Sequence, residues 1–304
     1  MRPLYRSVFE GVDGFLVSLK LKLYFKGNVI LPPYTSRVTK YIIYSSDCFG
    51  KLRELYESRS KFRPVTLSTL HTLSGRPLYK RGSEEQLISA REGMVLTASI
   101  TYFTREESPL DYSLYDCSGR VREPFNNIEF SIWEIEVLRL ESLSLGLNKG
   151  DIVRLDFKTP LVMSTKVMTP PSLRSLPLIK NTPNEYRLLP TPGYVAASAM
   201  RVWLGVVNGV DPDEYHAPYG IGRLADIFTP EIDYRIRPVT IVYGKDKSGR
   251  LRKVRGVVGH VTYLLRSRKI AVTLDRLFAL AARMGLGKNR SIGFGEVSVT
   301  TYRP

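Results

Sequence analysis

The chain has 304 residues and carries 45 lysines and arginines against 29 aspartates and glutamates, a formal charge of +16. With 43% hydrophobic and 24% charged residues it reads as globular, which excludes a disordered chain. No run approaches the ~18 apolar residues of a membrane helix. "GFLVSLKLKLYF" (14–25) is interrupted by Ser18, Lys20 and Lys22, so no signal peptide or membrane contact is expected. Cys48 and Cys117 show no metal or redox spacing, which reads as a reducing, cytoplasmic interior. A single glutamine (Gln86), few cysteines and many arginines point to a hot-living source.

In chain order, "FLVSLKLKLYF" alternates apolar and polar residues from Leu19 onward and predicts a half-buried strand. In "VILPPYTSRVTKYIIYSS" (29–46), Pro32 and Pro33 bar helix before them, and Thr35 or Ser36 can cap one that follows. "FRPVTLSTLHTL" and "GMVLTASITYF" read as strands, 104–126 carries little pattern, and "NIEFSIWEIEVLRLESLSL" (127–145) alternates again. "GLNKGD" is a turn-rich break. The order then repeats. A strand at 151–163 precedes a proline-led helix in 188–207, a hairpin over 237–265 turns at "KDKSGR", a helix at 272–284 has Thr273 as its cap, and "EVSVTTY" closes as a strand. This predicts an α+β chain of two tandem ferredoxin-like (βαββαβ, RRM-like) domains, 1–148 and 149–304. Trp133 and Trp203 fall in segments that read as buried.

The charge is uneven: residues 232–304 hold 16 basic and 4 acidic residues. That concentration points to a polyanionic partner, most simply nucleic acid, although a solvated thermophilic face would also produce it. Within it, "GLGKNRSIGFGEV" (285–297) sets Gly285, Gly287, Gly293 and Gly295 around Lys288, Arg290 and Ser291. Glycine-rich backbone can present N–H groups to an anion, and the cations would add charge. Tight packing is the other reading, and it suits Gly293 and Gly295, where the last strand begins. The run follows a helix and precedes a strand, the reverse of a dinucleotide fingerprint, and it lacks P-loop spacing. No ATP, NAD or other cofactor is expected.

G-h-G-x5-G-h-G-h, ending the chain after a basic ferredoxin-like unit, resembles the RAMP superfamily of CRISPR-associated proteins. "LRKVRGVVGHVTYLL", "FKTPLVMSTKVMTPPSL", "VILPPYTSRVTKYIIYSS" and "SRSKFRPVTLSTL" are similar to segments of its repeat-RNA processing endoribonucleases. The resemblance implies cleavage of CRISPR precursor RNA within repeats, without metal, leaving a 2′,3′-cyclic phosphate (or 3′-phosphate) and a 5′-hydroxyl. Implied partners are the precursor and processed guide RNA, with an effector complex or a homodimer as further options. A non-catalytic RNA-binding subunit of an effector complex would carry the same glycine run.

If the nucleophile is the RNA's own 2′-hydroxyl, the protein must align it, neutralise the phosphate and protonate the leaving oxygen. Arg37, Lys40 and Tyr44 fall within about 60° of one another on the first helix. An ordinary amphipathic helix with solvated cations would look the same. The resemblance assigns catalytic or RNA-binding roles to these positions. Many family members also use a histidine just after this helix; "LRELYESRSKFR" (52–63) has none, and Tyr56, near that place, reads as packing through its ring. An archaeal subgroup without the histidine works with a basic cluster. On that pattern Lys40 and Arg63 are the first candidates, with Arg59 and Lys61 beside them on one side of an extended chain. A lysine, with an ordinary pKa of ~10.4, is a poor base but a ready proton donor and phosphate clamp. His71 reads as a strand-end residue, His216 as part of a loop and His260 as a packed strand residue. No clustered Asp/Glu/His set suggests a metal. Arg252 and Arg255, on opposite faces of the basic hairpin, are expected to track phosphates.

Overall fold

A computed structural model describes residues 4–58, 60–183 and 185–303. The first sheet is built on β1 (Phe15–Phe25), whose alternation buries Leu19, Leu21 and Leu23. Helices α1 (Ser36–Ile43) and α2 (Gly50–Glu57) follow, then β2 (Val65–Leu67), β3 (Val95–Thr104), β4 (Ser118–Arg120) and β5 (Ile128–Arg139). The strand order is β2-β3-β1-β5-β4. Val38, Ile42 and Ile43 of α1 enter the core of this sheet with Leu52 and Tyr56 of α2, leaving Arg37 and Lys40 exposed.

The second sheet contains β6 (Ile152–Leu161), followed by the short pair β7 (Met163–Ser164) and β8 (Tyr186–Arg187). Helices α3 (Pro192–Val202) and α4 (Ala217–Phe228) lead to the hairpin of β9 (Glu231–Lys245) and β10 (Leu251–Leu264). Helix α5 (Arg268–Met284) and β11 (Val297–Tyr302) complete an antiparallel sheet of order β9-β10-β6-β11. Both orders place the first strand between the third and the last, as a ferredoxin-like βαββαβ unit requires. The fold is a mixed α+β arrangement of two such units.

The units are not independent. Phe103, Leu16 and Leu140 of the first share a core with Trp203, Leu277 and Phe278 of the second. A smaller apolar cluster joins Tyr34 to Val162, Ile241, Val254 and Phe294, with Tyr34 stacked on Phe294 at 4.3 Å.

Several expectations are corrected. The stretch 104–126 holds a short 3-10 helix (Tyr112–Leu114) and β4, with no α-helix where a complete βαββαβ unit has its second one. Its apolar residues Leu114, Cys117, Val121 and Phe125 enter the first core without helical spacing. Residues 217–228 form a helix with His216 at its N-cap, not a loop. Neither Thr35 nor Ser36 caps α1: Thr35 Oγ1 donates to the Leu78 carbonyl and Ser36 Oγ to that of Ile292. Thr273 lies inside α5, which starts at Arg268. Trp203 is buried but Trp133 is 48% exposed, because the β1–β5 register shifts between Lys20 and Leu21 and leaves Trp133 without a cross-strand partner. Cys48 and Cys117 are joined in a disulfide across 69 residues, which their spacing did not suggest and which a reducing interior does not predict. Proteins from hyperthermophiles are the recognised exception to that rule.

Candidate functional site

The exposed Lys40 of α1 reaches Tyr44 at the end of its own helix and Tyr56 of α2. Lys40 Nζ lies 5.8 Å from the centre of the Tyr44 ring and 5.6 Å from that of Tyr56. The Arg63 guanidinium carbon is 5.2 Å from the same Tyr56 ring. Tyr56 is only 4% exposed, held by the core of the first sheet, so a fixed aromatic face connects the two cations. Arg53 lies 5.7 Å from the Tyr44 ring. Arg37 stacks instead over Tyr41 at 5.8 Å, one turn along its own helix. Burial pushes the Tyr44 phenol up to about 12, and hydrogen bonding to Glu57 pushes the same way. At neutral pH Tyr44 therefore keeps its proton and can donate it.

Arg63 also lines a cleft of about 400 Å³ between the two units. Lys61, Lys166, Arg174, Arg201, Lys288 and Arg290 share that lining. Asp213 is the only carboxylate in it among the described residues. It binds Lys61, Arg174 and, at 2.7 Å, Arg201. Burial alone would raise its carboxyl pKa, but Lys61, Arg201 and Arg174 outweigh this and hold it below its ordinary value. One aspartate thus keeps three cations close together, with Asp211 also 3.5 Å from Lys61, and Arg63, Lys166, Lys288 and Arg290 have no carboxylate partner among the described residues. Burial, with Arg201 and Lys61 nearby, lowers the Lys288 pKa.

The glycine run forms one wall of the cleft, and its glycines have structural causes. All four have φ between 71° and 90°. A Cβ at Gly295 would lie 1.8 Å from the Leu286 carbonyl oxygen, and one at Gly287 would lie 2.5 Å from that of Val162. Most of the N–H groups are engaged within the chain: Leu286 donates to Gly295, Lys288 to Val162 and Gly295 to Pro160. Those of Asn289, Arg290 and Ser291 have no acceptor among the described residues, and all three residues line the cleft. Arg290 is 6% exposed and donates to the Met284 carbonyl (3.1 Å) and to Thr66 Oγ1 (3.3 Å). Burial lowers its pKa to about 10, so it remains charged at neutral pH.

Other candidates lie elsewhere. Arg252 and Arg255 are exposed on the hairpin and do not line the cleft. Val254, between them, packs into the small inter-unit core, which fixes one face of the hairpin inward. Arg59 lies outside the described residues. His71 is buried, with Nδ1 at 2.9 Å from the Thr69 carbonyl and Nε2 at 3.0 Å from Glu296. His260 pairs with Asp233 at 3.0 Å. No histidine is among the residues described as lining the cleft. Neither spacing nor local pattern marks Lys166, Arg174 and Arg201; the fold alone gathers them, from the 165–174 segment and α3.

Residues 17–138 match the model of the Cas6 N-terminal domain, and residues 155–297 match that of the CRISPR-associated endoribonuclease Cas6. Two curated relatives from Saccharolobus solfataricus are CRISPR-associated endoribonucleases Cas6 1 and Cas6 2. The first is 29% identical over 276 residues, covering 90% of this chain and 92% of the relative. The second is 28% identical over 272 residues, covering 89% and 91%. Among solved structures, a Cas6 product complex aligns with TM-score 0.59 at 19% identity, covering 95% of this chain and 100% of that one. Thermus thermophilus Cas6 aligns with TM-score 0.57 at 16% identity and the same coverage. With both halves matched by successive models of one family, the chain belongs to the Cas6 family of CRISPR-associated endoribonucleases.

Proposed function

We propose that this protein cleaves CRISPR precursor RNA within its repeats, without metal, by attack of the RNA's own 2′-hydroxyl. The observation that carries this reading is the Lys40–Tyr56–Arg63 cluster beside a cleft lined by seven cations and one aspartate. Such a surface attracts phosphate and repels a divalent cation. Repeat RNA enters here as substrate because the curated relatives are named for CRISPR-associated endoribonuclease activity.

In this mechanism the cleft cations hold the RNA backbone so that the 2′-oxygen lies in line with the scissile phosphate. The 2′-oxygen forms a bond to phosphorus and loses its proton to solvent as the bond to the 5′-oxygen breaks. Arg63 neutralises the phosphate as charge builds, and Lys40 or Tyr44 gives a proton to the leaving oxygen. The products are a 2′,3′-cyclic phosphate and a 5′-hydroxyl. Arg37, Lys61, Lys288, Ser291 and the hairpin residues Arg252 and Arg255 serve binding, with Arg37 at the edge of the reacting group; Arg290, held by Met284 and Thr66, contributes its charge to the cleft wall and its backbone N–H. No histidine is required, as in the subgroup of relatives that works with a basic cluster. The residues divide as two functional units, 1–148 with the cleavage helix and 149–304 with most of the RNA-holding surface. We place the activity in the cytoplasm.

The test is incubation of repeat RNA with purified protein in EDTA, with the product ends identified. Full-rate cleavage to a cyclic or 3′-phosphate and a 5′-hydroxyl is expected. Binding without turnover would favour a non-catalytic subunit of an effector complex.

Tyr56 offers a sharper check of the cluster. Tyr56→Phe keeps the ring face and is expected to cleave within about 3-fold of the wild-type rate. Tyr56→Leu removes two cation–π contacts of ~0.5–1 kcal/mol each. A single-turnover rate lower by about 5- to 30-fold is expected, with RNA affinity largely kept. Equal rates for the two variants would remove Tyr56 from the account.

A further inference from the structure

Tyr44 is the C-cap of α1, and the turn that follows it is tied to the rest of the first unit at three points. Cys48, in the short 3-10 turn Asp47–Phe49 between α1 and α2, is bonded to Cys117, with the two Cα atoms 6.0 Å apart. Ser45 Oγ accepts from the Arg122 N–H at 2.9 Å. Arg53 of α2 donates through Nη2 to the carbonyls of Ile43 and Ser46, and its guanidinium carbon lies 5.7 Å from the centre of the Tyr44 ring.

The three ties differ in strength. The two Arg53 bonds are 3.4 and 3.3 Å long, beyond the usual span of an N–H···O bond. Arg53 Nε is buried without an acceptor among the described residues. The Ser45 contact is one neutral hydrogen bond, whose net worth is modest. Cys117, by contrast, starts from a fixed point. It is 4% exposed, packs in the first core with Leu114, Val121 and Phe125, and its carbonyl accepts from the Ile132 N–H of β5 at 3.1 Å. The covalent tie thus runs from the sheet to the turn beside Tyr44. It starts within 104–126, the stretch that has no α-helix to brace that turn by packing.

We propose that the Cys48–Cys117 disulfide positions Tyr44 for cleavage, and that a dithiol which reduces it slows cutting without releasing the RNA. The inference rests on the reading that Lys40 and Tyr44 act at the reacting phosphate. Lys40 Nζ lies 5.8 Å from the Tyr44 ring, so a shift of that ring disturbs both proton donors. The cleft cations Lys166, Arg174, Arg201 and Lys288 come from the second unit, so binding is spared. Cys48 is the partly exposed half of the pair and the sulfur open to attack. A thiolate of the dithiol bonds to Cys48 Sγ as Cys117 leaves and takes a proton. The second thiol of the reductant then displaces Cys48, which takes a proton in turn. Two electrons have passed: the protein holds two thiols and the reductant leaves as its disulfide.

The test begins with a thiol count on unfolded protein purified without reductant. Neither of the two cysteines is expected to react, and both are expected to react after dithiothreitol. The two forms are then compared at saturating repeat RNA, well below the melting temperature of the reduced one. The reduced form is expected to cut roughly 10-fold more slowly in a single turnover, since small misplacements of reacting groups carry such losses. Its RNA affinity is expected to stay within about 3-fold, and reoxidation to restore the rate. Cys48→Ser/Cys117→Ser is expected to cut at the reduced rate with or without dithiothreitol; if it does not fold, reduction and reoxidation of wild type decide. In Tyr44→Leu, which lacks the ring, reduction is expected to cost less than about 2-fold. Two free thiols before reduction, equal rates in both forms, an equal fall in rate and affinity, or an undiminished loss in Tyr44→Leu would overturn the inference and leave the functional reading in place. Wild type that binds repeat RNA but cuts it in neither form would overturn both.

Discussion

Replacing Lys40 by alanine is expected to lower the single-turnover cleavage rate by about 10²–10³-fold while changing RNA affinity by less than about 3-fold. The split follows from where Lys40 sits. It is exposed on α1, has no ion-pair partner among the described residues and is held over the Tyr44 and Tyr56 rings, at the side of the cationic cleft and not within its lining. A group so placed meets charge that develops at the reacting phosphate, and an interaction made mainly in the transition state appears in the rate rather than in binding. Lys288→Ala is expected to behave in the opposite way, because Lys288 lines the cleft where the RNA backbone is held before reaction. A Lys40→Ala variant that binds 100-fold more weakly but cuts normally once saturated would make Lys40 a binding residue.

Gly295→Ala is expected to destabilise the protein by roughly 3 kcal/mol or more, a fall in Tm of about 5 °C or more. The new Cβ would sit 1.8 Å from the Leu286 carbonyl oxygen, and that clash is with backbone at the hinge of the glycine run. The Leu286 N–H donates to Gly295 at 2.8 Å across the same contact, so relieving the clash breaks a bond as well. Gly249→Ala at the hairpin turn supplies the comparison. It has φ of 80° but open space around its Cβ position. It is expected to cost only the ~1–2 kcal/mol of a left-handed alanine. Similar melting temperatures for the two variants would show that the run has more room than its geometry allows.

The order of strands and helices was legible because hydrophobic alternation and helical spacing are local signals. Leu19, Leu21 and Leu23 of β1 and Val38 and Ile42 of α1 are buried as their periods require. Lys40 and Arg63 were named from a resemblance, and the structure brings them to one ring. In the sequence Tyr56 reads as packing through its ring, and its packing is what lets it position the two cations. The glycine run was only half legible. An anion cradle and tight packing make the same demand on composition, and only the contacts at Val162 and Leu286 show packing at Gly287 and Gly295. Arg290 reads in the sequence as a free cation, yet long-range burial against Thr66 and Met284 encloses it. Lys166, Arg174, Arg201 and Asp213 carry no sequence signal, since they meet only when the 165–174 segment, α3 and the turn Pro212–Glu214 pack together. The missing helix in 104–126 had a trace in the poor patterning there. The bulge at Trp133 had none, because register belongs to a pair of strands and not to one.

The central claim, that the RNA supplies its own nucleophile, is tested most directly by one substitution in the RNA. Repeat RNA with a single 2′-deoxyribose just upstream of the scissile phosphate is incubated with wild-type protein in EDTA, beside the all-ribose RNA. The account predicts cleavage of the ribose RNA alone, with both RNAs bound at nearly equal affinity. Cutting of the deoxy RNA at the same phosphate would contradict it.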